Sequence, residues 1–342
     1  METEEQKQLV LRNTEEIVKE EELEEILEEK DEPRCYVGYE PSGPAHLGHW
    51  ISLRKLLDLQ KAGFQPVVLW ADLHAYLNRK GDEDWLDAMS DYWQATFESL
   101  GLEAEYTRGR SFQEKTEYFH DILEMSQEVT LNRGKRAMGE VASGENTYVS
   151  HVVYPLMQAL DIEYLDLDLA VAGIDQRKIH MLAREKLPKL GYRKPTCLHW
   201  PMLASLSGTG DKMSSSKKET MFPLHAEPSH IREVIEDGYC PQGEAEDNPV
   251  LQIAKFFVFG ADRNLEIERD KEYGGDVTYE NYEKVEQDFV SEELHPLDLK
   301  QAVADEVVER LEPVRERFRE EPELLSPLEE IGHEKPDYVQ ES

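Results

Sequence analysis

The sequence predicts an α/β fold in which a doubly wound parallel sheet is followed by a C-terminal all-helical domain. Two patterns carry this prediction. Short apolar runs typical of buried strands alternate with amphipathic segments of helical period up to residue 222. From about residue 223 the pattern changes to a run of helices that ends near residue 311. Alternating strands and helices are typical of parallel sheets covered on both faces, and the later run of helices indicates a second domain.

The individual elements follow from apolar periodicity and from turn residues. The predicted strands are 35–40, 65–70, 105–107, 164–171 and 196–200. The helices predicted between them are 46–61, 83–100, 150–161 and 174–187. The helices predicted in the C-terminal domain are 228–238, 249–258, 279–289 and 297–311.

These elements divide the 342 residues into four parts. The predicted parts are an N-terminal helical arm (1–33), the sheet domain (34–222), the helical domain (223–320) and an acidic tail (321–342). Residues 111–145 predict a helical insertion within the sheet domain. The tail has few apolar residues, so we expect it to be poorly ordered.

Composition narrows the class of protein. No apolar stretch approaches a transmembrane span and the N-terminus is acidic, so we expect a cytoplasmic protein that makes no membrane contact. Cys35, Cys197 and Cys240 lie far apart, without the paired spacing of disulfide frameworks or zinc sites. The sequence therefore indicates neither a disulfide framework nor a zinc ribbon, and it names no metal ligand.

The run Pro44–His49 lies between a predicted strand and a predicted helix. A helix that begins there presents unpaired backbone N–H groups and the positive end of its dipole, which together bind polyphosphates. His46 and His49 add hydrogen-bond donors, and Gly48 leaves room for an adenine base. Taken alone, the run favours an ordinary helix start that carries two histidines.

A second run, Lys212–Ser216, follows the glycine-containing segment 207–211. Such a loop can close over a ligand. Lys212 offers a charge for a leaving pyrophosphate, and the serines offer hydroxyl donors. A solvated polar loop is the plainer interpretation, but it does not explain the apolar Met213.

Three polar residues, Tyr154, Gln158 and Asp161, lie at positions i, i+4 and i+7 of one predicted helix. A polar stripe more often faces solvent. Here a buried strand follows it and ends at Gly173, close to Gln176. Ligands bind at the carboxyl edge of doubly wound sheets, so these residues predict a polar pocket.

Together the two runs resemble the signatures of class I aminoacyl-tRNA synthetases, which implies an ATP-dependent ligase. Up to about residue 318 the chain is similar to the archaeal-type tyrosyl-tRNA synthetases, on the runs 36–43, 71–77, 212–217 and 293–296. The first signature reads His-Leu-Gly-His where the family has His-Ile-Gly-His, a conservative change. The resemblance implies a Rossmann-type catalytic domain, an anticodon-binding domain and a homodimer that associates through 111–145. It implies binding of L-tyrosine, ATP with Mg²⁺, and tRNA(Tyr).

The resemblance also implies the site residues. The expected catalytic residues are His46, His49, Lys212 and Ser215. Tyr36 and Asp161 would hold the phenolic hydroxyl of tyrosine, while the other tyrosine-binding residues would be Tyr154, Gln158, Gln176, Leu69, His74, Phe112 and Gln113. The expected ATP contacts are Glu40, Gly48, Met213, Ser214, Ser215 and Ser216. The expected tRNA contacts are Arg133 and Arg136 for the acceptor stem, and Phe257, His295, Pro296 and Asp298 for the anticodon.

Two alternatives stay open at this point. A tryptophanyl-tRNA synthetase shares the fold and both signatures, but it usually carries alanine where Ser215 stands and lacks the Tyr36/Asp161 pair. A catalytically silent paralogue that binds tRNA or nucleotide is the second alternative. The presence of His46, His49, Lys212 and Ser215 disfavours it.

The net charge predicts a dependence on salt. The chain carries 73 acidic residues against 38 Lys plus Arg, a net charge of −35. Such self-repulsion destabilises a compact state unless salt screens it, and the Debye length falls to about 3 Å at 1 M. We expect a salt-loving host, and therefore a higher melting temperature and activity in molar KCl than in dilute buffer. Equal stability and activity in both buffers would contradict this expectation.

Overall fold

The computed structural model describes residues 3–138, 148–208, 221–261 and 263–340. The chain divides into two compact units. Unit 1 comprises Met1–Ser42, Lys55–Asp91 and Leu102–Pro201. Unit 2 comprises Gly43–Arg54, Tyr92–Gly101 and Met202–Ser342. In the described ranges no helix is both long enough and apolar enough to cross a membrane.

Unit 1 contains a six-stranded sheet. Its strands are β1 (Glu16–Ile17), β2 (Arg34–Tyr39), β3 (Gln65–Trp70), β4 (Glu105–Arg108), β5 (Leu169–Gly173) and β6 (Thr196–Trp200). Their order is β1-β6-β5-β2-β3-β4, and all neighbours are parallel except the antiparallel pair β1 and β6. The strand order reverses between β2 and β5, so their carboxyl ends form the switch point where doubly wound sheets bind ligands. The predicted α/β sheet is confirmed, with one antiparallel edge strand added.

Helices cover this sheet, and two of them contribute residues to both units. They are α1 (Thr3–Leu11), α2 (Glu20–Glu29), α3 (Leu47–Lys61), α4 (Asp72–Leu77), α5 (Glu83–Ser99), α6 (Arg110–Gln113), α7 (Thr116–Glu128), α8 (Leu131–Met138), α9 (Ser150–Tyr164) and α10 (Arg177–Lys186). Short 3₁₀ turns occupy Ile174–Gln176 and Leu187–Leu190. The core between α9, α10 and the sheet is apolar, with Leu156, Leu160, Ile179 and Leu182 buried.

Two predictions for unit 1 need correction. The N-terminal arm is not helical throughout, because β1 pairs with β6 at the edge of the sheet. The buried Lys55 ammonium donates to the carbonyls of Val10 and Arg12 and so holds the end of α1. The strand predicted at 164–171 begins only at residue 169, because α9 continues to Tyr164. Buried leucines at 165 and 167 gave that segment its strand-like pattern.

Unit 2 is mainly helical. Its remaining helices are α11 (Pro228–Asp237), α12 (Pro249–Ile253), α13 (Tyr282–Val290), α14 (Pro296–Arg310), α15 (Glu312–Glu320), α16 (Ser326–Glu330) and α17 (Asp337–Gln340). A π-helical turn, Ala254–Val258, continues α12, and 3₁₀ turns occupy Phe259–Ala261, Lys271–Tyr273 and Pro322–Leu325. A small antiparallel pair, β7 (Leu265–Ile267) and β8 (Val277–Tyr279), was not predicted, because three-residue strands give too short an apolar pattern.

The C-terminal tail is ordered through residue 340, contrary to the expectation from composition. Leu325, Leu328 and Val339 are buried. The Tyr338 hydroxyl donates to the His225 carbonyl at 2.7 Å. A few apolar anchors are therefore enough to fix this acidic segment.

Candidate active site

A polar pocket of unit 1 lies at the switch point of the sheet. Tyr36 on β2 contributes a ring that is 2% exposed. Leu69 on β3 and Phe112 on α6 are also buried and belong to the same apolar cluster as Tyr36. The expected pocket residues therefore lie in one interior region of unit 1. They come from β2, β3, α4, α6 and α9, and the helices α4, α6 and α9 contribute polar side chains to it.

Asp161 is the central polar group of this pocket and is fully buried. The Gln113 amide donates to Asp161 Oδ1 at 2.8 Å, and the Tyr118 hydroxyl lies 2.7 Å from the same oxygen. Burial raises the pKa of Asp161 to about 7, although both hydrogen bonds act in the opposite direction. Asp161 Oδ2 has no hydrogen-bond partner among the described residues.

Two more buried polar atoms in this pocket have no hydrogen-bond partner within the described ranges. They are His74 Nε2 and Gln113 Oε1. His74 Nε2 lies 3.7 Å from Asp161 Oδ2, too far for a hydrogen bond. Burial lowers the pKa of His74 to about 4, so the imidazole is neutral at pH 7. Buried polar atoms are normally paired, and three unpaired ones in a single pocket indicate a polar ligand.

A second set of polar side chains surrounds the Tyr36 hydroxyl. The Gln158 side chain is hydrogen-bonded to Tyr36. Burial, and then the charge of Asp161, raise the pKa of Tyr36 above its usual range, so its hydroxyl keeps its proton. Gln158 Nε2 also lies 3.4 Å from Gln176 Oε1, and the Gln176 amide donates to Asp175 at 2.9 Å. The structure therefore brings both predicted glutamines together beside Tyr36.

Glu40 forms a junction with Tyr154 and Asn78. The Tyr154 hydroxyl donates to Glu40 Oε1 at 2.6 Å, and the Asn78 amide donates to the same atom at 2.8 Å. Burial raises the pKa of Glu40, and the Tyr154 hydrogen bond partly offsets this. The Tyr154 ring meets His74 edge-on, with centroids 4.5 Å apart. Glu40, expected at ATP, thus contacts a residue expected at tyrosine.

Three residues of this pocket were missed by sequence reasoning. Tyr118 and Asn78 lie in segments whose patterns show only helix and loop, and their partners are 43 and 38 residues away. Gly109 is the third, because a Cβ there would lie 2.5 Å from Gln113 Oε1. A glycine just before Phe112 and Gln113, two expected pocket residues, was the available signal for a close approach.

The paired histidines belong to unit 2. Their rings lie 3.7 Å apart, and the His49 ring meets Trp93 at 4.5 Å. The His46 N–H donates to His49 Nδ1, and the Gly48 N–H donates to His46 Nδ1, both at 3.1 Å. Burial lowers the pKa of His46 to about 3 and that of His49 well below its usual value. Both rings are therefore neutral and carry their proton on Nε2, where each can donate a hydrogen bond.

The second signature cannot be placed. Lys212, Met213, Ser214, Ser215 and Ser216 lie outside the described residues. Among the residues that are described, no group of three or more His, Cys, Asp or Glu side chains could hold a metal ion.

All of the residues expected to contact tRNA are exposed or half-buried except Phe257. Arg136 on α8 is exposed, whereas Arg133 is half-buried and lies 3.5 Å from Glu185. His295 is exposed, and its Nδ1 accepts the Leu297 N–H at the start of α14. Pro296 and Asp298 occupy the first turn of the same helix and are half-buried.

Phe257 is the exception. Its ring is 1% exposed and stacks on Trp50 at 3.8 Å, and the Arg310 guanidinium carbon lies 5.4 Å from the ring centroid. A ring buried in this way has no face for an RNA base. The prediction of Phe257 as an anticodon-stacking residue is therefore wrong, and its role is core packing in unit 2.

Comparisons with known proteins agree with this class of fold and site. The family model described as "tRNA synthetases class I (W and Y)" matches residues 28–312. The chain therefore belongs to the class I tRNA synthetase family. A relative named tyrosine–tRNA ligase, from Methanopyrus kandleri, is 50% identical over 319 residues, covering 92% of this chain and 98% of the relative.

Solved structures with a similar fold include members of this family. A tyrosyl-tRNA synthetase from Archaeoglobus fulgidus, crystallised with L-tyrosine, has a TM-score of 0.89 at 48% identity, covering 93% of this chain and 100% of that chain. A tryptophanyl-tRNA synthetase from Aeropyrum pernix has a TM-score of 0.72 at 20% identity, covering 92% and 86%. The second comparison shows a shared fold alone.

The pocket generates a prediction about pH. A carboxylate at Asp161 accepts a phenolic hydroxyl better than a protonated acid does, and the pKa near 7 places this change within the working range. Preference for tyrosine over phenylalanine should therefore rise with pH between about 6 and 8. Asp161→Asn should lower this preference by about 10- to 100-fold and remove its pH dependence, because a hydrogen bond to a charged group is lost. Amino-acid-dependent ATP–pyrophosphate exchange with each substrate measures both effects.

Tyr118→Phe tests how Asp161 is held. It removes one of the two hydrogen bonds at Oδ1, so the pH midpoint of the tyrosine preference should move upward. Tyr164→Phe is the matched control, since the Tyr164 hydroxyl donates to Asp121 instead. Equal midpoints in the two variants would contradict a role for Tyr118 in holding the carboxylate.

Proposed function

We propose that this chain is a tyrosine–tRNA ligase. It activates L-tyrosine with ATP to tyrosyl-adenylate, transfers the tyrosyl group to tRNA(Tyr), and releases AMP and pyrophosphate. One observation carries this proposal: a fully buried Asp161 has one oxygen satisfied by Gln113 and Tyr118 and the other unpaired, in a pocket lined by aromatic rings. The similarity to tyrosyl-tRNA synthetases supports it.

Recognition of tyrosine follows from this arrangement. The phenolic hydroxyl of the substrate donates to Asp161 Oδ2 and accepts from the Tyr36 hydroxyl. Gln113 and Tyr118 hold Asp161 in position through Oδ1, so the second oxygen keeps its orientation. Phenylalanine would leave these buried groups without a partner, which costs binding free energy.

Activation requires little covalent chemistry from the protein. The carboxylate of tyrosine attacks the α-phosphorus of ATP in line, and pyrophosphate leaves with its electron pair. The neutral His46 and His49 donate hydrogen bonds from Nε2 to phosphate oxygens, and Gly48 accommodates the adenine. Lys212 neutralises the charge of the leaving pyrophosphate, and the hydroxyls of Ser214, Ser215 and Ser216 donate hydrogen bonds to it. Mg²⁺ enters with the nucleotide and is held mainly by its phosphates and water.

The transfer step joins the adenylate to the terminal ribose of tRNA. We propose that Arg133 and Arg136 contact the acceptor stem, and that His295, Pro296 and Asp298 contact the anticodon. These side chains are exposed or half-buried. We also propose that 34–222 is the catalytic domain, that 223–320 is the anticodon-binding domain, and that the enzyme works in the cytoplasm.

Tyrosine-dependent ATP–pyrophosphate exchange tests the proposed function. The purified chain should exchange labelled pyrophosphate into ATP with L-tyrosine and not with L-tryptophan, and should then charge tRNA(Tyr). His46→Ala should lower the exchange rate by about 100-fold without unfolding the protein, because a donor to a transition-state charge is lost. Exchange driven by tryptophan would identify the other branch of the family. Absence of exchange with either amino acid would favour a silent paralogue.

We propose a homodimer that associates through the helical insertion. An apolar surface there is unusually exposed, with Phe119 57%, Leu123 47% and Leu131 61% accessible. Phe119 and Leu123 lie four residues apart and so share one face of α7. A second copy of the same surface would cover this face, as large exposed apolar patches mark contact sites.

Light scattering coupled to size exclusion tests the dimer. The unsubstituted chain should elute at twice the mass of one chain, and Phe119→Glu should shift it to a monomer. Ile331→Glu, at a residue of unit 2 that is 42% exposed, is the matched control and should leave the dimer intact. A dimer that persists in Phe119→Glu would overturn this assignment of the interface.

A further inference from the structure

An exposed cation–aromatic pair in unit 1 has no role in the function described so far. The Arg79 guanidinium carbon lies 4.7 Å from the centroid of the Tyr148 ring. Arg79 is exposed, and Tyr148 is 47% exposed. These two residues are called the Arg79–Tyr148 platform below. It presents a cation and an aromatic face in a chain whose net charge is −35.

The platform is attached to the pocket through Glu40. Arg79 directly follows Asn78, whose amide donates to Glu40 Oε1. Tyr148 lies just before α9, and the Tyr154 hydroxyl of that helix donates to the same oxygen. From the start of α9 to Tyr154 the helix rises by about 6 Å. Both halves of the platform therefore come from segments that meet at one carboxylate of the tyrosine pocket.

The backbone at Arg79 is in the left-handed region, with a φ of 58°. Glycine adopts this conformation without steric cost, and a longer side chain does not. The sequence nevertheless places an arginine there, directly after the last turn of α4. Residues held in such conformations cluster at binding and catalytic sites. Arg79 thus keeps a guanidinium at this position at a conformational cost.

Tyr148 is also held in place. Its N–H donates to His151 Nδ1 at 3.4 Å, and the His151 ring meets the Tyr148 ring edge-on at 5.5 Å. On the other side of the platform, Lys80 directly follows Arg79, is exposed and adds a second positive charge there. The result is a fixed ring with two cations on one loop.

We propose that the Arg79–Tyr148 platform binds the unpaired 3′ end of tRNA during tyrosyl transfer, an inference that rests on the proposed function. Unpaired bases stack on aromatic rings and on arginine planes, and their phosphates pair with cations. Transfer requires the terminal ribose to reach the pocket, while the paired stem is too wide to enter it. A single-strand platform next to the Glu40 junction meets this requirement.

Tyr148→Ala tests the stacking. The KM for transcribed tRNA(Tyr) should rise about five- to tenfold, since loss of one base–aromatic stack has an effect of this size. Tyrosine-dependent ATP–pyrophosphate exchange should stay at the unsubstituted rate, because that step does not use tRNA. Tyr148→Phe keeps the ring and should restore normal charging. Lys189→Ala, which removes an exposed cation paired with Glu128 elsewhere in unit 1, is the control.

Arg79→Gly separates function from folding. Glycine relieves the left-handed backbone, so this variant should melt at the same temperature as the unsubstituted chain or higher. Its KM for tRNA should nevertheless rise, while exchange stays unchanged. A raised KM for tRNA in a protein of undiminished stability cannot be attributed to misfolding.

Three results would overturn the proposal. They are normal charging by Tyr148→Ala, an equal loss of exchange and charging, and a change of oligomeric state that assigns the platform to contact between copies. Failure of the proposed function gives a different result, because the unsubstituted chain would then show no tyrosine-dependent exchange.

Discussion

The two hydrogen bonds at Asp161 Oδ1 are the constraint on which the polar pocket of unit 1 depends. A carboxylate buried without partners would take up a proton, since low-polarity surroundings disfavour its charge. Gln113 and Tyr118 oppose this and keep the pKa near 7 rather than higher. They also use only one oxygen. Asp161 Oδ2 therefore remains as an acceptor of fixed direction, which is what recognition of a hydroxyl group requires.

Burial and hydrogen bonds also fix the protonation and orientation of other polar groups in this pocket. His74 and Tyr36 are uncharged because burial shifts their pKa values away from ionisation, and Glu40 is held by two donors on one oxygen. Neutral donors and the oriented oxygen of Asp161 discriminate through short, directed hydrogen bonds rather than through long-range attraction. In an acidic chain this is an advantage, because salt screens long-range attraction far more than it weakens buried hydrogen bonds.

Much of this arrangement could be predicted from the sequence. Apolar runs and helical period located β3 and β6 to the residue, and the i, i+4, i+7 spacing placed Tyr154, Gln158 and Asp161 on one face of α9. Local pattern could not show that Tyr118 reaches across 43 residues to Asp161, since that contact exists only after the chain has folded. The resemblance failed for Phe257, because nothing in the sequence shows whether that ring stacks on Trp50 or is free to stack on a base.

The net negative charge of the chain limits how it can bind an RNA substrate. A net charge of −35 repels a polyanion, and the gain from counterion release becomes small at high salt. Stacking and direct hydrogen bonds do not depend on released counterions, so they contribute binding free energy at low and at high salt. Binding must then rely on a few placed side chains rather than on a broad basic surface. Tyr148 and Arg79 form such a pair, because the exposed ring can stack on a base while the adjacent guanidinium supplies a local positive charge.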